Sequence, residues 1–149
     1  MSVVSALLLA SAAWIAGRGQ PLWPPEQLTP EALVQAYGLD AWRLAELDGE
    51  VVATLALPER DPLFWPEDPP GSALYLHKLA VNRTRRGLAP AVLQAAVDET
   101  RSQGLPWLKL DTVYDRPPLR AIYERFGFEH AGERTVGRFR CALYQMRVD

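Results

Sequence analysis

Between residues 72 and 113 the chain changes character three times. SALYLHKLAV is apolar enough for a central strand, and PWLKLDTV is a second strand of the same kind. Between them lies a run of helical period that starts near Pro90. Val92, Leu93, Ala96, Val97 and Thr100 share one stripe, Gln94, Asp98, Glu99 and Arg101 face outward, and Gly104 ends the run. A strand, a helix and a strand in that order make a parallel pair with a right-handed crossover. The rest of the chain must be arranged around this unit.

What flanks it reads readily. Residues 3–16 form a helix stopped by Gly17 and Gly19, and QPLWPPEQLTP is loop. Thr29 caps a short helix with Pro30 at its first position, which ends at Tyr37–Gly38. AWRLAELDGEVVATLAL is a hairpin around Asp48–Gly49. PERDPLFWPEDPPG is a long loop of prolines, acids and aromatics, of a length that is often functional. PPLRAIYERFGF is a helix with Leu119, Ile122, Tyr123 and Phe126 on its apolar stripe, and residues 128–148 close the chain as a hairpin. The sum is an α/β (or α+β) domain over residues 1–149, a mixed central sheet with helices on both faces.

Charge and cysteine usage narrow the partners. A formal net charge of −2 and a pI of about 5.7 argue against nucleic-acid binding. Cys141 is the one cysteine, and His77 and His130 lie far apart, so neither a disulfide nor a Cys/His metal cluster is expected. A reducing cytoplasm suits that composition. The opening MSVVSALLLASAAWIAG lacks the basic start of a secretory signal and is too short to span a bilayer, so it is expected to pack against the domain.

Three arginines, a glycine and a proline interrupt the apolar pattern just where the first of these strands hands over to its helix, in RTRRGLAPA, residues 83–91. The first amides of a helix have no internal partner and carry the positive end of the dipole. Gly87 lets backbone approach a ligand closely, and Ala89 and Ala91 are the next smallest residues. Such a turn cradles phosphate or diphosphate, with Arg83, Arg85 and Arg86 as further cations. An ordinary turn with solvated arginines is the competing reading.

Together, LHKLAV…RRGLAPAVL, LKLDT and LRAIYERFGF resemble the GNAT superfamily of acetyl-CoA-dependent N-acetyltransferases. The resemblance covers residues 41–149 well and the first 40 loosely. The family's pattern Q/R-x-x-G-x-G/A falls on Arg86, Gly87, Leu88, Ala89, Pro90 and Ala91. Ala89 stands where the pattern has its first glycine, Pro90 removes one amide donor, and Arg116 replaces an asparagine frequent before the tyrosine-bearing helix. The family also opens with a strand, where this chain begins with a helix. Either that strand is absent, the start lies upstream, or another subunit closes the sheet edge, and an open edge modestly favours a homodimer.

The resemblance implies direct attack of an amine on the acetyl-CoA thioester. It makes a backbone amide of Leu79, Ala80 or Val81 the oxyanion donor, Gly87, Leu88, Ala89 and Ala91 the diphosphate donors, and Arg86 and Arg116 further cofactor contacts. Tyr123 matches the tyrosine that protonates the departing thiolate, although core packing explains it too. His77 occupies a position where several relatives carry a glutamate base. It reads equally well as a base and as a strand histidine bonded to a neighbour. Asp111 is a second base, a binding site for a cationic acceptor, or a strand-end carboxylate. Trp14, Trp23, Phe64 and Trp65, with Asp61, Glu67 and Asp68 beside them, suit an ammonium-bearing small molecule or peptide acceptor. Two other functions fit the residues: a non-catalytic CoA-binding or sensing domain, and a phosphate- or nucleotide-binding domain without acyl transfer.

Overall fold

The computed structural model describes residues 1–17, 24–82 and 87–149, the side chains of 11–17 aside. Trp23, Arg83, Arg85 and Arg86, and the side chain of Trp14, lie outside that description. The elements follow the order α1 (Ser2–Gly17), α2 (Pro30–Tyr37), β1 (Trp42–Leu47), β2 (Glu50–Ala56), β3 (Ala73–Val81), α3 (Leu88–Ser102), β4 (Trp107–Val113), α4 (Pro117–Phe126), β5 (Glu129–Val136) and β6 (Phe139–Arg147). No strand precedes α1 among the described residues. The strands form one six-stranded mixed sheet in the order β1-β2-β3-β4-β6-β5, flanked by helices. The expected parallel pair is β3 with β4, in register from Ala73/Trp107 to Leu76/Leu110.

Two compact units make up the chain, Met1–Ala56 with Lys78–Leu88 and Leu57–His77 with Ala89–Asp149. In the first, Val4 and Leu8 of α1 lie one helical turn apart and are buried in a cluster with Leu28, Leu33 and Ala80. Met1 and Trp42 pack against it. Each buried leucine contributes about 2 kcal/mol through loss of apolar surface to water. Ser5, the one polar residue in that turn, donates its hydroxyl to the Leu28 carbonyl. Val3 and Leu9 are exposed, so this half of α1 buries one side only. Thr29 caps α2 as expected, its Oγ1 accepting from the Ala32 amide at 3.2 Å. The β1–β2 hairpin turns through Asp48 and Gly49, both at positive φ, which matches the right-handed twist of its strands. β1 is an edge strand that exposes Leu44 and Leu47. No described helix is long and apolar enough to cross a membrane.

In the second unit α3 buries Val92, Leu93, Ala96, Val97 and Thr100, the stripe read from its period. It starts at Leu88, however, so Pro90 is its third residue rather than its first. That position still lies among the four whose amides lack an internal acceptor, so the ring costs no ladder bond. The α4 stripe is narrower than its period suggests. Tyr123 is buried, Leu119 and Phe126 half-buried, and Ile122 exposed. β4 and β5 both pair antiparallel with β6, and a bulge at His130/Gly132 interrupts the outer ladder.

Cys141, on β6 opposite Val113, is buried. Burial, and then the charge of Asp111, raises its thiol from 9.0 to about 11. The folded chain therefore keeps this proton after the unfolded chain has lost it. Stability is unaffected by this group below pH 9 and declines as pH rises from 9 toward 11. Thiol titration at pH 8 should find Cys141 unreactive in the native protein and fully reactive in denaturant, and chemical unfolding should become easier between those two pH values.

Candidate active site

Strand alternation puts Tyr75 and His77 on one face of β3, and Lys109 and Asp111 on one face of β4. The register pairs Tyr75 directly with Lys109. Leu74, Leu76, Leu108 and Leu110, on the alternate positions, are buried. Two largely apolar strands thus carry a polar quartet on a single side.

The long loop supplies two acids to this quartet. Asp68 Oδ2 accepts from Tyr75 Oη at 2.6 Å and from Lys109 Nζ at 2.8 Å. Lys109 is buried, and its ammonium lies 4.4 Å from the centroid of Trp65, which covers it from the loop side. Burial and the Asp68 carboxylate push the Tyr75 phenol well above its ordinary value, so it stays a donor. Trp65 was expected to meet the acceptor. The structure gives its ring to Lys109 and leaves its buried Nε1 with no hydrogen-bond partner among the described residues.

Asp61, the second acid, is also buried. Its carboxylate organises the turn that follows, with Oδ1 accepting from the Phe64 amide at 3.2 Å and the main-chain carbonyl from Trp65 at 2.8 Å. Oδ2 lies 2.9 Å from His77 Nε2, off the line of an ideal hydrogen bond. Asp111 Oδ1 lies 3.7 Å from the other ring nitrogen, Nδ1. The imidazole therefore stands between two carboxylates, one at each nitrogen. Each of the three side chains offers a ligand atom within 4.8 Å of the others, yet a divalent cation binds one ring nitrogen at a time. An imidazole that faces a different acid through each nitrogen is better placed to hold or move a proton.

Tyr123 sits on α4, edge-on to Phe128 at 5.9 Å and tilted against Tyr144 at 6.3 Å. Burial, and then the charge of Asp111, raises its phenol far above the ordinary value. The tyrosine is thus both a core side chain and a group that feels the site's carboxylate. Arg116 is the N-cap residue of α4 and caps with its main chain, its carbonyl accepting from the Leu119 and Arg120 amides.

The diphosphate candidates are backbone groups. Gly87 adopts φ +74°, a conformation that side chains rarely take, immediately before α3. The amides of Leu88 and Ala89 belong to the first helical turn and have no acceptor within the helix, and Ala91 follows Pro90 at the end of that turn. Gly87 and Ala91 are exposed, Leu88 and Ala89 partly so. Small side chains, the first-turn amides and the dipole's positive end fit an anionic diphosphate. Upstream, Lys78 also has positive φ, at +54°, which breaks the regular alternation of β3 just before Leu79, Ala80 and Val81.

The model of the Acetyltransferase (GNAT) family matches residues 10–128. The chain is 28% identical over 144 residues to the uncharacterized N-acetyltransferase YesJ of Bacillus subtilis, which covers 90% of this chain and 79% of the relative. An acetyltransferase of the GNAT family from Listeria monocytogenes superposes with a TM-score of 0.74 at 22% identity, over 97% of this chain and 87% of that one. The acetyltransferase yncA of Salmonella typhimurium, solved with its cofactor acetyl-CoA, superposes with a TM-score of 0.62 at 16% identity, over 97% and 90%.

Asp68 and Lys109 hold the loop that carries Asp61, so cutting that tie should be costly. Lys109→Met leaves a largely buried carboxylate with Tyr75 alone and should lower stability by about 2 kcal/mol in urea unfolding. Adding Asp68→Asn should recover part of that loss, because the two changes remove one interaction rather than two.

Proposed function

Because this chain belongs to the GNAT acetyltransferase family, we propose that it moves an acetyl group from acetyl-CoA to the primary amine of a cationic small molecule or peptide. The family match over residues 10–128 carries the activity, and acetyl-CoA is the co-substrate of that family. The acceptor class rests on the two carboxylates, Asp61 and Asp111, that flank His77. They favour an ammonium group, with Trp65 and Trp23 as aromatic neighbours of the incoming molecule.

When bound, acetyl-CoA supplies an activated thioester. Gly87, Leu88, Ala89 and Ala91 hold its diphosphate with their amides, and Arg86 and Arg116 add charge. Pro90 gives no amide but fixes helical φ within that turn. An amide of Leu79, Ala80 or Val81 receives the charge that develops on the carbonyl oxygen. His77 takes a proton from the acceptor amine, with Asp111 fixing the cationic acceptor before it reacts. Tyr123 keeps its proton at every physiological pH and donates a hydrogen bond to the departing sulfur. Residues 1–149 act as one catalytic domain, in the cytoplasm. The exposed leucines of edge strand β1 support a homodimer.

Acetyl-CoA and CoA should each raise the thermal midpoint by several degrees at a hundredfold excess over Kd, while ATP should not. CoA thiol release over a panel of amines should then identify cationic acceptors. Stabilisation without release over the whole panel would instead favour a sensing domain. Tyr123→Phe should lower kcat by up to about a hundredfold with acetyl-CoA affinity intact. Unchanged turnover would remove Tyr123 from the reaction.

A further inference from the structure

We propose that Asp61 is a positioning residue for His77, which fixes the imidazole with its proton on Nε2 and leaves Nδ1 as the nitrogen that receives the acceptor's proton. The proposal rests on the reading of His77 as the base and assigns a role to a loop residue that this reading does not require.

Four observations carry it. Asp61 is buried, with a side chain only 6% exposed. The Phe64 amide already fixes one carboxylate oxygen, so the other is held in a set direction. That second oxygen is 2.9 Å from Nε2 and accepts no aligned hydrogen bond among the described residues. An ionised carboxylate can only accept, so the nitrogen it meets must carry the hydrogen. In ligand-free sites such contacts are commonly off-line and tighten when substrate binds. Lastly, Nδ1 faces Asp111 at 3.7 Å. An ammonium nitrogen about 2.8 Å from both atoms completes a triangle with that edge, so one donor can reach the base and the anchoring acid together.

The proton step balances within these groups. An N–H bond of the acceptor breaks, leaving its electron pair on the amine nitrogen. An Nδ1–H bond forms with the lone pair of the imidazole. The ring becomes a cation carrying a hydrogen on each nitrogen, held between ionised Asp61 and ionised Asp111. Asp68 on the loop, Tyr75 on β3 and Lys109 on β4 are engaged with one another, and the buried Cys141 thiol of β6, which feels the charge of Asp111, keeps its proton.

Asp61→Asn keeps an oxygen for the Phe64 amide but turns an NH2 toward Nε2, which drives the ring hydrogen to Nδ1 and blocks the base. It should lower kcat by about a hundredfold while leaving the KM for acetyl-CoA within twofold. Asp61→Ser keeps a turn-capping oxygen too short to meet the ring, and should show the same loss if the Asn variant folds poorly. The double variant Asp61→Asn/His77→Gln should be no slower than His77→Gln alone, because the two residues act as one unit. A His77→Gln enzyme with full activity would remove the base reading itself. A slow His77→Gln enzyme beside Asp61 variants of normal kcat, or losses that multiply in the double variant, would overturn the role of Asp61 and leave the base in place. The unmodified protein gives a separate readout, since it has only two histidines to assign by nitrogen NMR. A slowly exchanging Nε2–H on neutral His77 is expected, and hydrogen on Nδ1 would overturn the proposal.

Discussion

A buried lysine on a central strand is expensive unless its charge is met. Here Lys109 is met by Asp68, which reaches it only because the loop folds back over the sheet. That one ion pair gives the loop a fixed seat on β4. The Tyr75 hydroxyl locks the same carboxylate to β3, and Trp65 closes over the ammonium. Asp61 is on the same loop, two short turns before Asp68, and its approach to His77 follows from where the loop is seated. The energetics of the tie and the geometry of the imidazole are therefore parts of one arrangement. A buried pair of this kind need not stabilise the fold more than a hydrophobic replacement would. Its effect is to select one loop position among many.

Much of the fold could be read from the residues, and the reason lies in period and punctuation. The α3 stripe emerged position for position, because a helix against a sheet must bury every third and fourth residue. Thr29–Pro30 and Asp48–Gly49 gave the α2 cap and the first hairpin through local chemistry that tertiary packing had no cause to override. Ile122 shows the limit of period alone, for α4 buries a narrower arc than its apolar residues span, and Ile122 lies outside it.

The site was only half legible, for the same physical reason. His77 stood out by its place four residues before the valine that ends its strand, and Asp111 as a carboxylate near the end of the next strand. Their partner Asp61 sits in a proline-rich loop with no period, where it looked like any acid near an aromatic cluster. One signal was available. Tyr75 and His77 alternate with Leu74 and Leu76, and Lys109 and Asp111 alternate with Leu108 and Leu110. Four polar side chains on one face of adjacent central strands cannot all meet solvent under a covering loop. Such a quartet calls for counter-groups, and the loop's acids are the nearest in sequence.

The hydrogen-bond donor and the base of the proposed reaction differ in what their surroundings ask of them. A thiol has an ordinary pKa of about 8.5 and a phenol about 10, so even an unperturbed tyrosine gives up its proton to a thiolate at a cost of roughly 2 kcal/mol. Burial of Tyr123 and the charge of Asp111 raise that cost further. A phenol so placed serves as a neutral donor that stabilises charge on sulfur without surrendering its hydrogen. The acceptor makes the opposite demand. A cationic amine is not a nucleophile until its proton has gone, and no feature of the leaving group can replace that step. Placing carboxylates at both nitrogens of His77, and none in hydrogen-bond contact with Tyr123 among the described residues, directs the electrostatics of the site toward that deprotonation.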